Sequence, residues 1–280
     1  MADRASTMPE PEYILGHSER EIRRLMRQAA ILRPITERLL RSAGVRPGMR
    51  VLDLGCGGGD VAMLAAELVG ASGSVVGIDR SPEVIAVARG RARTDGLRHV
   101  DFREASAEAF SDPEPFDAVI GRYVLIHQAD PVAFLRAAAQ RVRPGGVVAF
   151  HELCVRGQTF HQSLPEVSLW QQAGEWIRMA LQSAAPHCDS GGRLIEHFSG
   201  AGLPQPTLFC ESIVDGGEDS PLYGWAAETL ESVMPQLVKM RILTEDTIAI
   251  ETFERRLRTA AVEARSQVVG PAQFCAWTRV

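Results

Sequence analysis

Residues 51 to 60 read Val-Leu-Asp-Leu-Gly-Cys-Gly-Gly-Gly-Asp, an apolar strand pattern running into a glycine loop with an acid at each end, Asp53 and Asp60. Glycine at 55 and 57 lets the backbone turn tightly and approach a bound molecule, because neither position carries a Cβ. Such a loop predicts a nucleoside site, and the acids narrow the choice of ligand. Two carboxylates would repel a diphosphate by roughly 1 to 4 kcal/mol each at about 4 Å. A phosphate-free nucleoside with positive charge fits better. The acids also have a plainer reading, as a strand-end acid and a helix cap.

A nucleoside-binding βαβ unit needs a second strand ending in an acid that takes the ribose hydroxyls. Gly73-Ser-Val-Val-Gly-Ile-Asp79 supplies it, at about the spacing such a unit requires. Between the two strands, Val61 to Val69 carries Ala and Leu at helical spacing, with Gly70 where a helix would end. Val100-Asp-Phe102 is a third strand leading into Ala105-Ser106-Ala107. A fourth is Phe116-Asp117-Ala-Val-Ile-Gly121-Arg122-Tyr123, and Arg143-Pro144-Gly145-Gly146 precedes a fifth from Val147 to Phe150. In this order the segments resemble a class I S-adenosylmethionine-dependent methyltransferase, from about Pro34 to Glu152. The general likeness is to the ubiquinone/menaquinone-type and natural-product members that act on small molecules.

The resemblance implies an α/β fold: a Rossmann-like seven-stranded sheet, mostly parallel with an antiparallel last strand, bearing helical lid insertions. It implies S-adenosyl-L-methionine as cofactor. Asp53 and the backbone of Gly55 and Gly57 would face the methionine part, Asp79 the ribose hydroxyls, and Arg80 the adenine. Ser106, with Ala107 beside it, stands where the family usually has the acid that accepts the adenine amino group, so a weaker contact is expected there. Gly121 would offer its carbonyl to the cofactor ammonium, with Arg122 adjacent. A helix before the first strand would close over the cofactor, making Tyr13 and Gln28 candidates to reach it. A nicotinamide dinucleotide shares the glycines and Asp79 but prefers a glycine where this chain has Asp60. An NAD-dependent oxidoreductase is therefore one alternative, and a catalytically inactive cofactor-binding scaffold or regulator is another.

Methyl transfer is attack by a nucleophile on the sulfonium methyl, and it needs a general base only if the nucleophile must lose a proton. The candidates are His127, His151 and Glu152, each with a plainer reading as packing, capping or pairing. Metal-dependent catechol-type enzymes place an acid on the fourth strand, where Arg122 would oppose a cation, so no metal site is expected. The Pro-Pro-Tyr run of adenine-modifying enzymes and the Pro-Cys of cytosine C5 enzymes are both missing from that region. The acceptor atom, O, C or N, stays open.

At 280 residues and 45% hydrophobic, the chain can bury a full core as one domain with an appended cap. A net charge of −5 argues against a nucleic-acid partner. The sequence shows neither an apolar run of membrane-spanning length nor a signal-type N-terminus, so a cytoplasmic location is expected. Five scattered cysteines without a Cys-x-x-Cys pair read as reduced thiols. The expected division is an N-terminal helical cap over 1–33, a cofactor-binding core over 34–152, a lid insertion over 153–189, a core helix and sixth strand over 190–214, a helical insertion over 215–268 and the last strand over 269–280. In the cap, Arg20, Arg23, Arg24 and Arg27 read as a solvated face. Trp170, Trp176, Tyr223, Trp225 and Met234 suggest an apolar cavity for a small-molecule methyl acceptor, although a homodimer interface would use the same residue types.

Overall fold

The structure, a computed structural model, describes residues 19–156, 161–244 and 248–280. Tyr13 lies outside them. Seven strands form the main sheet: β1 (Arg50–Leu54), β2 (Ser74–Asp79), β3 (Val100–Glu104), β4 (Phe116–Arg122), β5 (Val142–Leu153), β7 (Thr207–Glu211) and β10 (Gln273–Arg279). Their order is β3-β2-β1-β4-β5-β10-β7. β10 enters between β5 and β7 antiparallel to both, and the other pairings are parallel. Val51 to Leu54 and Val147 to Leu153 are buried without alternation, as strands covered on both faces must be. A second sheet of three short antiparallel strands, β6 (Gln162–Leu164), β8 (Val214–Gly216) and β9 (Gln267–Val269), lies outside this frame.

Eight helices are described: α1 (Glu19–Ala43), α2 (Asp60–Val69), α3 (Pro82–Thr94), α4 (Pro131–Ala139), α5 (Ser168–Ala184), α6 (Leu194–Gly200), α7 (Pro221–Lys239) and α8 (Phe253–Glu263). α3 and α4 start where Ser81 and Asp130 accept the amides of Val84 and Ala133, each followed by proline in the first helical turn. α1 runs straight through Pro34, so cap and core share one helix and no break separates residue 33 from 34.

Apolar side chains of α1, α2 and α3 cover one face of the sheet, and those of α4 and α6 cover the other. A third cluster joins α5, α7 and α8 around Trp170, Tyr223 and Phe253, with Leu32 of α1 and Leu153 of β5. α5 and α1 both pack along α7, so the two inserted segments and the N-terminal helix form one helical lid. The segment from Thr207 to Val214, read above as one strand, is two. β7 ends at Glu211, and Val214 opens β8 because it pairs with Val269 far along the chain.

The glycine loop can be tested by adding a methyl group at two of its positions. At Gly59, with φ of 87°, a Cβ would lie 2.7 Å from Phe102, whereas at Gly57, with φ of 50°, it would meet nothing within 4 Å. Gly59→Ala is expected to destabilise the fold by about 2 kcal/mol or more through strain and overpacking. Gly57→Ala should cost only about 1 kcal/mol in the fold yet block whatever lies over the loop. Thermal denaturation and S-adenosylhomocysteine titration of both variants check this, and equal losses of stability would contradict it.

Candidate active site

The chain connections diverge between β1 and β4, the switch point where open α/β sheets bind ligands beyond their strand ends. A cavity of about 550 Å³ opens there, between the sheet's loops and the lid. Gly55, Cys56, Gly57 and Gly58 form its floor, with Asp53 and Asp79 behind them. α1 contributes Arg24, Leu25 and Gln28, α5 contributes Ile177, Leu181 and Ala184, and α7 contributes Trp225, Ala226 and Thr229. Each set has the 1, 3 or 4 residue spacing of a single helix face.

Asp53 is almost fully buried, and its Oδ2 has no hydrogen-bond partner. Burial pushes its carboxyl up to about 8, Arg122 opposes that shift, and Asp79 adds to it. Asp79 ties the loop to the end of β2: its carboxylate accepts the amides of Gly57 and Ser81, both at 3.0 Å. Four lone-pair directions on a carboxylate leave room for ribose hydroxyls as well. Asp60 corrects the electrostatic argument made from sequence, because Arg91 pairs with it at 2.7 Å. Asp53 and Asp79 are therefore, among the described residues, the acids next to the glycine loop that no arginine pairs directly, and of the two Asp53 is pushed towards its neutral form by burial.

Tyr123 turns the chain out of β4 in the left-handed region, with φ of 57°. The next amides, of Val124 and Leu125, donate to Glu152 Oε1 at 2.9 and 2.8 Å, which fixes the 3₁₀ turn Leu125–His127. His127 thereby reaches the cavity wall, where burial and Arg80 push it down to about 4.

His151 and Glu152 do not reach that wall, which corrects their placement as candidate bases. The His151 ring lies between Thr36 Oγ1 at 3.0 Å and Gln273 Oε1 at 2.9 Å. Because Gln273 Oε1 only accepts, Nε2 carries the proton and Nδ1 lies against the Thr36 hydroxyl, whose one hydrogen also reaches the Leu32 carbonyl. Burial pushes this histidine down to about 3 and Glu152 up to about 8. Both are interior groups, His151 held at both ring nitrogens and Glu152 at Oε1, while Glu152 Oε2 has no partner among the described residues.

Arg80, Ala107, Arg122 and Gln28 line the cavity as expected. Ser106 does not, since its hydroxyl accepts the Ala109 amide at 3.1 Å, and Glu108 brings a carboxylate to that wall instead. Gly121 lies within the sheet, paired with Leu54 and Phe150 and off the cavity wall, and a Cβ there would meet Phe150 at 2.7 Å. Arg24, assigned from sequence to a solvated face, is instead interior. It is buried, its Nη1 donates to Gln28 Oε1 at 3.0 Å, and Trp225 Nε1 donates to the same oxygen at 3.4 Å. Only its helical spacing to Gln28 could have marked it. Of the five large side chains expected to line an acceptor site, Trp225 alone does; Trp170, Tyr223, Trp176 and Met234 pack into the lid's core.

The matching family model is described as a methyltransferase domain and covers residues 46–198. The chain belongs to this family. The nicotinamide alternative thereby loses its footing. Ubiquinone biosynthesis O-methyltransferase of Dinoroseobacter shibae is 39% identical over 110 residues, or 39% of this chain and 43% of the relative. Aklanonic acid methyltransferase DauC of a Streptomyces species is 39% identical over 134 residues, or 48% of this chain and 61% of the relative. The chain thus spans about half the length of these curated relatives. The YcgJ protein of Bacillus subtilis superposes with a TM-score of 0.55 at 15% identity, covering 88% of this chain and 98% of the other, and shares the fold.

S-adenosylmethionine, the cofactor of this family, fits the residues present. A buried carboxyl oxygen without a partner suits a cation, and open space above Gly57 admits a ligand against the backbone. Losing the Asp79 hydrogen bonds should weaken S-adenosylhomocysteine binding by roughly 10- to 100-fold in Asp79→Ala. Unchanged affinity by calorimetry would contradict that assignment. Asp53 holds its proton below about pH 8 in the unliganded protein, and a cation beside it favours the ionised form. Binding near pH 7 should therefore release a proton, with affinity rising as pH approaches 8, and Asp53→Asn should abolish the release. Calorimetry in buffers of different ionisation enthalpy measures it.

Proposed function

We propose that this protein transfers the methyl group of S-adenosylmethionine to a small, largely apolar metabolite. The observation that carries the reading is one continuous cavity that joins the acids Asp53 and Asp79 on the sheet side to an apolar lid on the other. The bound cofactor supplies a methyl group on a positively charged sulfur. Asp53 would face its ammonium end, Asp79 its ribose, and the guanidinium groups of buried Arg24 and half-buried Arg122 its carboxylate. An apolar lid that kept water from the rest of the cavity would strengthen charge interactions inside and favour a reaction that cancels charge. Holding acceptor and methyl donor together supplies much of the rate, with effective molarities on the order of 10⁵ M or more.

His127 is within the electrostatic reach of Arg80, which supports a position for it on the cofactor side of the cavity. Its neutral ring is best used there to pack the cofactor. His127→Ala is therefore expected to weaken S-adenosylhomocysteine binding about 5- to 10-fold and to leave the acceptor KM unchanged. A fall in kcat of roughly 10²- to 10⁴-fold with unchanged cofactor binding would make it the general base instead. Turnover of methyl-labelled S-adenosylmethionine with phenolic, enolic and amine acceptors tests the function itself. Tight cofactor binding without transfer to any of them would favour a scaffold.

A further inference from the structure

Arg122 stands on the cavity wall with a single hydrogen bond among the described residues, from its Nη1 to Thr36 Oγ1 at 3.3 Å. It forms no ion pair with any described carboxylate, and Asp53 feels its charge only at longer range. The remaining N–H donors of the guanidinium are therefore uncommitted. A charged group on a long stem makes a good site only if it is held before the ligand arrives, because ordering it on binding subtracts from affinity. The anchor comes from another element.

Thr36 lies inside α1 and is almost wholly buried. Its hydroxyl is 3.1 Å from the Leu32 carbonyl one turn back and 3.0 Å from His151 Nδ1. Its one hydrogen serves those two acceptors, which leaves the oxygen to accept from Arg122. His151 is the register partner of Arg122 on the neighbouring strand, so both side chains leave the same face of the sheet. His151 Nε2 donates to Gln273 Oε1 at 2.9 Å, the Tyr123 hydroxyl donates to the same oxygen, and Gln273 Nε2 donates to the Pro271 carbonyl at 2.8 Å. Thr36, His151 and Gln273 lie off the cavity wall, whereas Arg122 and Tyr123 line it. A polar chain thus leaves the wall at Arg122, crosses the interior and returns at Tyr123. Burial pushes His151 down to about 3, so its ring is neutral and brings no charge against the guanidinium.

We infer that Thr36 is the positioning residue of Arg122: its hydroxyl, set in place by His151, aims the guanidinium at the carboxylate on the amino-acid end of the cofactor. This deepens the proposed function and rests on it. Thr36 acts through Arg122 and not on the ligand.

The test compares S-adenosylhomocysteine with S-adenosyl-3-thiopropylamine, the same molecule without its carboxylate, by calorimetric titration. The unaltered protein is expected to bind the first more tightly, and Thr36→Val to reduce the ratio of the two affinities about fivefold, with Thr36→Ser keeping it. Valine also leaves His151 Nδ1 without a partner, so some stability is lost. A general loss of stability weakens both ligands alike and leaves their ratio unchanged. In an Arg122→Met background the guanidinium is gone, and Thr36→Val should then move the ratio less than about twofold. Thr36→Ala serves in both backgrounds if the valine variant fails to fold. An unchanged ratio without the Thr36 hydroxyl, a ratio lowered equally with and without Arg122, an unchanged ratio in Arg122→Met, or no retention by serine would each overturn the inference. Failure of the unaltered protein to bind S-adenosylhomocysteine would instead strike the methyltransferase reading, and this inference with it.

Discussion

An unmatched buried acid at the end of β1 organises this molecule. Asp53 is enclosed by the sheet and the glycine loop, with Asp79 raising the cost of its charge and Arg122 lowering it. A group in that position gains most from a ligand that arrives with positive charge, because the interior dielectric magnifies the pairing. The loop geometry follows from it: left-handed glycines at 55, 57 and 59 bring the backbone over the acid without side chains in the way, and Asp79 ties the loop down through the Gly57 amide.

Glu152 shows that burial and a raised pKa do not by themselves make a functional group. Its carboxyl is pushed to about 8, as Asp53's is, yet it accepts two backbone amides and lies off the cavity, so its work is to shape the turn that carries His127. Asp53 and Glu152 share a chemistry and a degree of burial. What separates them is which side of a strand each faces, the cavity or the β4–β5 crossover.

The cavity is built from parts far apart in the chain. Leu153 of β5 and Leu32 of α1 belong to the same apolar cluster as Trp170 and Phe253, so the lid's packing is continuous with the sheet's. The second sheet, pairing β6, β8 and β9, secures the segment that leads into α5.

The sequence by itself determined the strand-loop-helix at 50–69, the acid at 79 and the order of the five strands, because each rests on a local pattern: a buried β-branched run, a glycine turn or a helix cap. Arg80, Ala107, Arg122 and Gln28, named from the family resemblance, line the cavity. Only the tertiary structure decided which of His127, His151 and Glu152 faces the cavity, that Arg91 answers Asp60, that Ser106 is spent on a turn, that Arg24 is interior, and that of the lid's large rings only Trp225 lines the site. Most of those outcomes depend on partners distant in the chain: Arg91 lies 31 positions from Asp60, and Thr36 and Gln273 lie 115 and 122 positions from His151. Local periodicity records that a residue is apolar or charged, but not which of two buried surfaces will close over it.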